Sequence, residues 1–289
     1  MTAAVSVIIP HYDDLARLDL CLAALEAQDL PRDAFEIVVA DNASPAGLAA
    51  VEAVAGGRAR VVLAAEKGAG PARNAGVAAS KAPLLAFTDC DCVPAPGWLS
   101  AGLAALETCD LAGGRMVVSV TDERAMTGAE AFEKVFAFDN RSYVEKKGFS
   151  VTANLFCGRA VFDATGPFRT GVSEDVEWCH RAGRKGYRLG YAERAVVAHP
   201  ARRDWGELKR KWQRMNVEGF GLAMQGGKGR LRWIGRNLTM PLSIVAHAPR
   251  VLTSPLLPDA GARARALAML ARVRLWRMTD AIALAMGRH

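Results

Sequence analysis

At 289 residues, 51% apolar and 23% charged, the chain has the size and composition of a folded protein with a full core, as one large domain or a domain with an appendage. Those values exclude a disordered or low-complexity chain. The formal charge of +7 is uneven: residues 1–200 carry 20 Lys/Arg against 25 Asp/Glu, and residues 201–289 carry 17 against 5. An acidic body with a basic tail suits a tail that meets phosphate, nucleic acid or a membrane surface.

The six cysteines, Cys21, Cys90, Cys92, Cys109, Cys157 and Cys179, have neither zinc spacing nor the pattern of a short secreted framework, and they read as reduced, mostly buried thiols in a cytoplasmic protein. The first residues lead straight into a strand, so no signal peptide is expected. The longest apolar stretch, Asn237–Pro258, is interrupted by His247, Arg250 and prolines, so no transmembrane helix is expected.

In chain order, Val5–Pro10 reads as a strand followed by His11-Tyr12-Asp13-Asp14, where Asp13 or Asp14 can cap a helix carrying Leu15, Leu18, Leu22 and Leu25. Phe35–Ala40 is a second strand emptying into Asp41-Asn42-Ala43-Ser44, and Leu48, Val51 and Val54 mark a second helix stopped by Gly56-Gly57. Arg60–Leu63 is a third strand, and Lys67–Gly76 a loop entering a helix through Ala79. The fourth strand, Leu84–Phe87, runs into Asp89-Cys90-Asp91, with Pro94 and Pro96 ending regular structure. This alternation predicts a Rossmann-like α/β fold: a mostly parallel central sheet flanked by helices, with Tyr12, Asp41, Asp89 and Asp91 converging at the strand ends. Side chains two apart on an extended segment share a side, so Asp89 and Asp91 can face one hard cation; the competing reading is an ordinary turn.

Further on, Gly113–Val120 is predicted as a strand, residues 126–147 as helix, Val151–Phe156 as a strand, Ser173–Gly183 as a helix, and Tyr187–Val197 as short strands ending at His199-Pro200. Gln225–Gly229 reads as a flexible loop. The expected division is residues 1–200 as the α/β domain and 201–289 as a helical basic extension. In that extension Trp205, Leu208, Trp212 and Met215 share a helical face, and Ala262–Met286 forms an Arg-rich helix with Leu267, Leu270, Val273, Trp276 and Met278. Such a helix suits an anionic membrane interface, or packing on the body or on a second subunit of a homo-oligomer. Nucleic acid is not expected as a partner, since no binding motif accompanies the charge.

The ordered set Val5–Asp14, Glu36–Ser44, Gly68–Gly76, Phe87–Trp98, Asn154–Phe168 and Ser173–His199 resembles the inverting family 2 glycosyltransferases of the GT-A fold, over roughly residues 1–200. The resemblance implies a metal-dependent enzyme that moves a sugar from a nucleoside-diphosphate sugar, with uridine as the expected nucleoside, to a hydroxyl of a glycan or lipid-linked glycan. It implies nucleotide-sugar contacts from Pro10, Tyr12, Asp41, Arg73 and Asp89. Asp91, with Asp89 and His199, is then the Mn²⁺ or Mg²⁺ ligand set, and a nitrogen ligand tilts the choice toward manganese. Glu174-Asp175 matches the acidic pair whose second member is the base, and Asn154 and Trp178 fall on the acceptor side.

The residues admit other roles. Asp41 can accept from a pyrimidine imide N–H or close an Asx turn. Tyr12 can stack on a base or pack, and Arg73 offers a planar cation to phosphate or ribose oxygens. Ser173 is a good helix N-cap with acidic residues in the first turn, and His199 can be a turn residue before Pro200. The alternative function is a non-catalytic nucleotide-sugar-binding scaffold of the same fold, against which Asp89, Asp91, Asp175 and His199 stand together. A nucleotidyltransferase would carry a glycine-rich basic loop where His11–Asp14 stands. The chain lacks the Q-x-x-R-W arrangement and the membrane spans of processive synthases. The expected location is the cytoplasm, with peripheral contact at the inner face of the cell membrane.

Overall fold

The computed structural model describes residues 3–225 and 229–287; residues 226–228 of the expected loop lie outside them. The strands are β1 (Val5–His11), β2 (Phe35–Asp41), β3 (Arg60–Leu63), β4 (Leu84–Phe87), β5 (Val93–Pro94), β6 (Leu111–Ser119), β7 (Leu155–Gly158) and β8 (Leu189–Pro200). The helices are α1 (Leu15–Glu26), α2 (Leu48–Ala55), α3 (Ala69–Ala78), α4 (Trp98–Leu106), α5 (Gly128–Phe136), α6 (Asn140–Lys147), α7 (Arg159–Thr165), α8 (Glu174–Arg184), α9 (Trp205–Gln225), α10 (Gly229–Leu238), α11 (Leu242–Leu252) and α12 (Ala260–Ala285).

One sheet runs in the order β3-β2-β1-β4-β7-β6-β8-β5. It is mixed. β1 pairs in parallel with β2 and β4, and β2 with β3, as the alternating pattern predicts. Beyond β4 the direction reverses: β7 is antiparallel to β4 and β6, and β5 to β8. The strand expected over 151–156 begins later, because Thr152–Asn154 form a 3₁₀ turn first. The helix expected over 126–147 is two helices, each with its own cap: Thr127 and Glu130 form a capping box on α5, and Asp139 accepts from the Ser142 N–H at the start of α6.

β1 is buried on both faces. Val5, Val7 and Ile9 pack with Leu18, Leu22 and Leu25 of α1 and with Trp98 and Leu99 of α4. Ile8 points the other way, into a second cluster with Leu85, Phe87, Phe162, Phe168 and Trp178. Asp14 supplies the cap of α1, accepting from the Arg17 N–H at 3.2 Å. On α3, a Cβ added at Gly76 would stand 2.7 Å from Ile8 Cγ2, so glycine is what lets this helix lie against β1. Of the glycines in 68–76, Gly76 serves helix–sheet packing.

The chain forms two compact units: residues up to Val117 with Asp139–His199, and Val118–Phe138 with the chain from Pro200 onward. Residues 118–138, placed with the α/β domain from sequence, thus belong with the C-terminal helices. In this second unit Ala262, Ala266, Leu270 and Val273 of α12 are buried with Phe132 and Val135 of α5, Leu208 of α9 and Val251 of α11. Glu133 is buried there and paired with Lys211 (2.7 Å) and Arg202 (3.1 Å). Burial raises its carboxyl, but these two cations outweigh that and hold it below the ordinary glutamate range. Arg272 lies over the Trp205 ring and Arg277 over that of Trp212, so part of the basic charge serves internal packing. Much of the apolar face of α12 is thus taken up by packing within this unit, one of the roles its sequence left open. No helix among the described residues is long and apolar enough to cross a membrane.

Gly76→Ala is expected to lower stability by about 1–3 kcal/mol, the cost of overpacking a filled core. Chemical denaturation checks this; an unchanged midpoint would contradict the Ile8 contact.

Candidate active site

A cleft of about 240 Å³ opens at the carboxyl ends of the parallel strands, lined by Pro10, His11, Tyr12, Asn42, Ala69, Ala72, Arg73, Asp89, Cys90 and Asp91. Asp89 and Asp91 do not sit on an extended segment. The Cys92 N–H donates to the Asp89 carbonyl at 3.0 Å, so the segment after β4 is a turn, and both carboxylates reach the cleft from it. The turn and ligand readings of this segment are compatible.

Arg73, buried on α3, is the pivot of the site. Its Nη2 donates to Asp89 Oδ1 at 2.5 Å and its Nη1 to Glu174 Oε1 at 3.0 Å. Burial would lower its pKa, but the two carboxylates outweigh that and keep it firmly charged. Its Nε is buried without a partner among the described residues. Next to Glu174, the partly buried Asp175 accepts from Ser173 Oγ at 3.0 Å and from the Val176 N–H at 2.8 Å. Ser173 stands at the N-cap of α8, yet its hydroxyl makes no cap bond and goes to Asp175 instead. Burial, and then the neighbouring Glu174 charge, push the Asp175 carboxyl above the ordinary aspartate range.

His199 reaches the cleft edge because β5 pairs with the end of β8, Val93 opposite Ala198 and Pro94 opposite Val197. Its Nε2 stands 3.4 Å from Asp91 Oδ2. An imidazole nitrogen and a carboxylate oxygen so placed suit a divalent cation. Among the described residues no group of three or more acidic, His or Cys side chains is placed to hold a metal. Among the nearby thiols, burial and then the Asp91 and Asp89 charges push Cys90 up to about 12, and burial with the same charges pushes Cys92 well up. All six cysteines are free.

Several expected contacts take a different form. Asp41 is only 1% exposed and does not line the cleft. Its Oδ1 accepts from Ser44 Oγ at 2.5 Å and meets His11 Nδ1 at 2.9 Å, and its Oδ2 accepts from the Ser44 N–H. The Asp14 N–H donates to His11 Nε2, which therefore carries a lone pair; the ring hydrogen is on Nδ1 and points at Asp41. Asp41 is thus the Asx-turn residue that shapes the loop, and the cleft itself receives Asn42 and the exposed ring of Tyr12. Asn42 donates to the carbonyls of Ala64 and Glu66 and accepts from the Gly68 N–H, tying the end of β2 to the start of α3.

Asn154 and Trp178, expected on the acceptor side, are fully buried. Asn154 accepts from Trp98 Nε1 and donates to the carbonyls of Arg115 and Ala195, bracing α4, β6 and β8. Trp178 packs on Phe162 and Phe168 and donates to the Gly166 carbonyl. Both are structural because every polar atom they carry is used inside the fold. His11 and Ser44 escaped the sequence reading; the signal was their position, at a strand end and three residues beyond Asp41.

The family model for glycosyl transferase family 2 matches residues 6–174. The chain is 34% identical over 215 residues to glycosyltransferase AglE of Haloferax volcanii, covering 72% of this chain and 70% of that protein. It is 32% identical over 152 residues to the pre-mycofactocin glycosyltransferase of Mycobacterium tuberculosis, covering 48% of this chain and 32% of that one. Among solved structures, the mannosyltransferase PcManGT of Pyrobaculum calidifontis, in complex with GDP-Man and Mn²⁺, aligns with a TM-score of 0.60 at 20% identity over 99% of this chain and 86% of its own. S. aureus TarS 1-349 with UDP-GlcNAc aligns at 0.53 and 15% identity, over 100% and 93% of the two chains. The chain belongs to glycosyl transferase family 2 and is a glycosyltransferase. The structural likenesses, at this identity, show the GT-A fold.

Arg73→Met is expected to cost about 1–3 kcal/mol, less than the ~3–5 kcal/mol of breaking a fully buried pair, because Asp89 and Glu174 are each about 30% exposed. Urea denaturation of the variant checks this, and an unchanged stability would show that the bridge is not formed.

Proposed function

We propose that the protein is an inverting transferase moving a glycosyl group from a nucleoside-diphosphate sugar in the Tyr12–Arg73–Asp91 cleft to an acceptor hydroxyl, with Asp175 as the general base. The observation that carries this reading is the Arg73 bridge, which ties Asp89 on the cleft turn to Glu174 beside Asp175. Inversion needs a base on the face of the sugar opposite the leaving diphosphate. Asp175 has the environment of a base whose pKa lies above that of a solvated aspartate, and it receives the acceptor's proton as the hydroxyl oxygen bonds to the anomeric carbon. The glycosidic electron pair leaves with the diphosphate, whose charge develops near Arg73. Asp91 and His199 would hold a divalent cation, which when bound supplies Lewis-acid neutralisation of that charge.

Tyr12, 55% exposed, offers its ring to the base. A uridine donor is the first to test, supported by the TarS complex with UDP-GlcNAc; PcManGT with GDP-Man supports a guanosine donor as the second. The acceptor proposed is a hydroxyl of a glycan or lipid-linked glycan. The division of labour between a catalytic first unit and an acceptor-handling second unit is proposed on the same footing.

Release of nucleoside diphosphate from a panel of UDP- and GDP-sugars, with and without Mn²⁺ or Mg²⁺, tests the reading. Metal-dependent release from one donor, lost in Asp91→Ala, is expected; no release and no metal-dependent nucleotide binding would leave the scaffold alternative. Asp175→Asn is expected to lose about 10²–10⁴-fold in rate while still binding donor. Since the base works ionised, the rate falls as pH drops through its pKa, and the acidic limb should inflect above the ~4 of a free aspartate. Ser173→Ala removes a hydrogen bond to the ionised carboxylate and should move that limb up. Glu174→Gln removes a neighbouring negative charge and should move it down. A limb that ignores both variants would exclude Asp175.

A further inference from the structure

We propose that the outer face of α10 and α11 seats the second unit on a bilayer surface rich in anionic headgroups. The two helices bury one side only. On α10, Trp233 is buried and donates through Nε1 to the Ala281 carbonyl at 2.9 Å, and buried Asn237 donates to the Trp233 carbonyl. On α11, Val251 is fully buried and Ile244 packs with it in the same cluster. The opposite sides carry apolar residues at helical spacing that touch nothing comparable. Leu231 is 85% exposed, with Leu238 seven residues on; Leu242 is 72% and Val245 77% exposed, with Leu252 on the same helix and Leu256 in the turn after it. Single exposed leucines are ordinary, but a run of six on the outer faces of adjacent segments is not.

The charge around them selects the occupant. Arg230, Arg232, Arg236 and Arg250 are exposed on the same helices. Between Glu218 and Asp259 the sequence has five basic residues and no acidic one. A second copy applied to this face would set those arginines against their own counterparts with no carboxylate to answer them. A bilayer answers both features: its acyl boundary takes the leucines and its anionic headgroups take the arginines. The sequence left α12 open to a membrane interface or to packing, and Ala262, Ala266, Leu270 and Val273 of that helix are packed inside the unit.

The test is flotation of the full chain with vesicles of phosphatidylcholine alone or with about a third phosphatidylglycerol. Binding to the anionic vesicles, weakened as salt rises from about 0.05 to about 0.5 M, is expected. Leu242→Glu with Val245→Glu should abolish it at an unchanged melting temperature. Replacing Arg230, Arg232 and Arg236 by Gln should weaken it about 100-fold, at roughly fivefold per cation. Absence of binding to anionic vesicles, or binding that survives the paired glutamates, would overturn the proposal. So would light scattering that finds a dimer in the unaltered chain and a monomer in the Leu242→Glu, Val245→Glu variant, since a second copy would then cover the face.

Discussion

A single buried guanidinium organises the catalytic unit. Arg73 holds Asp89 with one nitrogen and Glu174 with another, and these carboxylates lie 85 residues apart in the chain. A buried cation of this kind is tolerated only when its partners are placed within hydrogen-bond reach, so the rest of the unit has to deliver them. α3 can present Arg73 because Gly76 lets the helix lie on Ile8 of β1. Asn42 fixes the loop leading into that helix, and Asn74, one residue beyond Arg73, exchanges two hydrogen bonds with the Phe168 backbone, docking α3 against the segment before α8. The same bridge shapes the electrostatics around Asp175: after burial, Glu174 pushes its carboxyl up, while Arg73, less strongly, pulls it down.

The reversal of the sheet after β4 makes the second half of the site. A purely parallel sheet would leave Asp89 and Asp91 at one edge with loops alone to complete them. Here β5, only two residues long, pairs with the end of β8 and carries His199 to Asp91. Asp91 thus meets a histidine more than a hundred residues away through two backbone pairings. Asn154 stabilises this arrangement from behind, bonding to backbone carbonyls on both β6 and β8.

What the sequence revealed and what it concealed follow from the range of the interactions involved. β1 to β4 were legible because strands buried on both faces write themselves as short apolar runs, as in Val5–Pro10 and Leu84–Phe87. The cap at Asp14 and the αL stop at Gly56 were legible because caps are local chemistry. Tyr12, Asp89 and Asp91 stood out because they follow strands, and the structure places them along one cleft with Arg73 of α3. The polar tips of Asn154 and Trp178 misled: a polar atom satisfied by a distant carbonyl looks, in sequence, like one waiting for a substrate. For Asp41, one of the two roles its sequence left open, the Asx turn, is the one its bonds to Ser44 and His11 make. β5 was hidden because two residues ending in proline carry no strand pattern. For α12, helical spacing shows that an apolar face exists and does not say what covers it.

The anomeric configuration of the sugar tests the account most directly, because it reports on which side of the anomeric carbon the base works. The sugar released from, or transferred out of, the preferred donor would be followed by ¹H NMR before mutarotation. The account predicts inversion relative to the donor, lost along with turnover in Asp175→Asn. Retention of configuration would contradict it, since a single base opposite the leaving diphosphate cannot give that outcome.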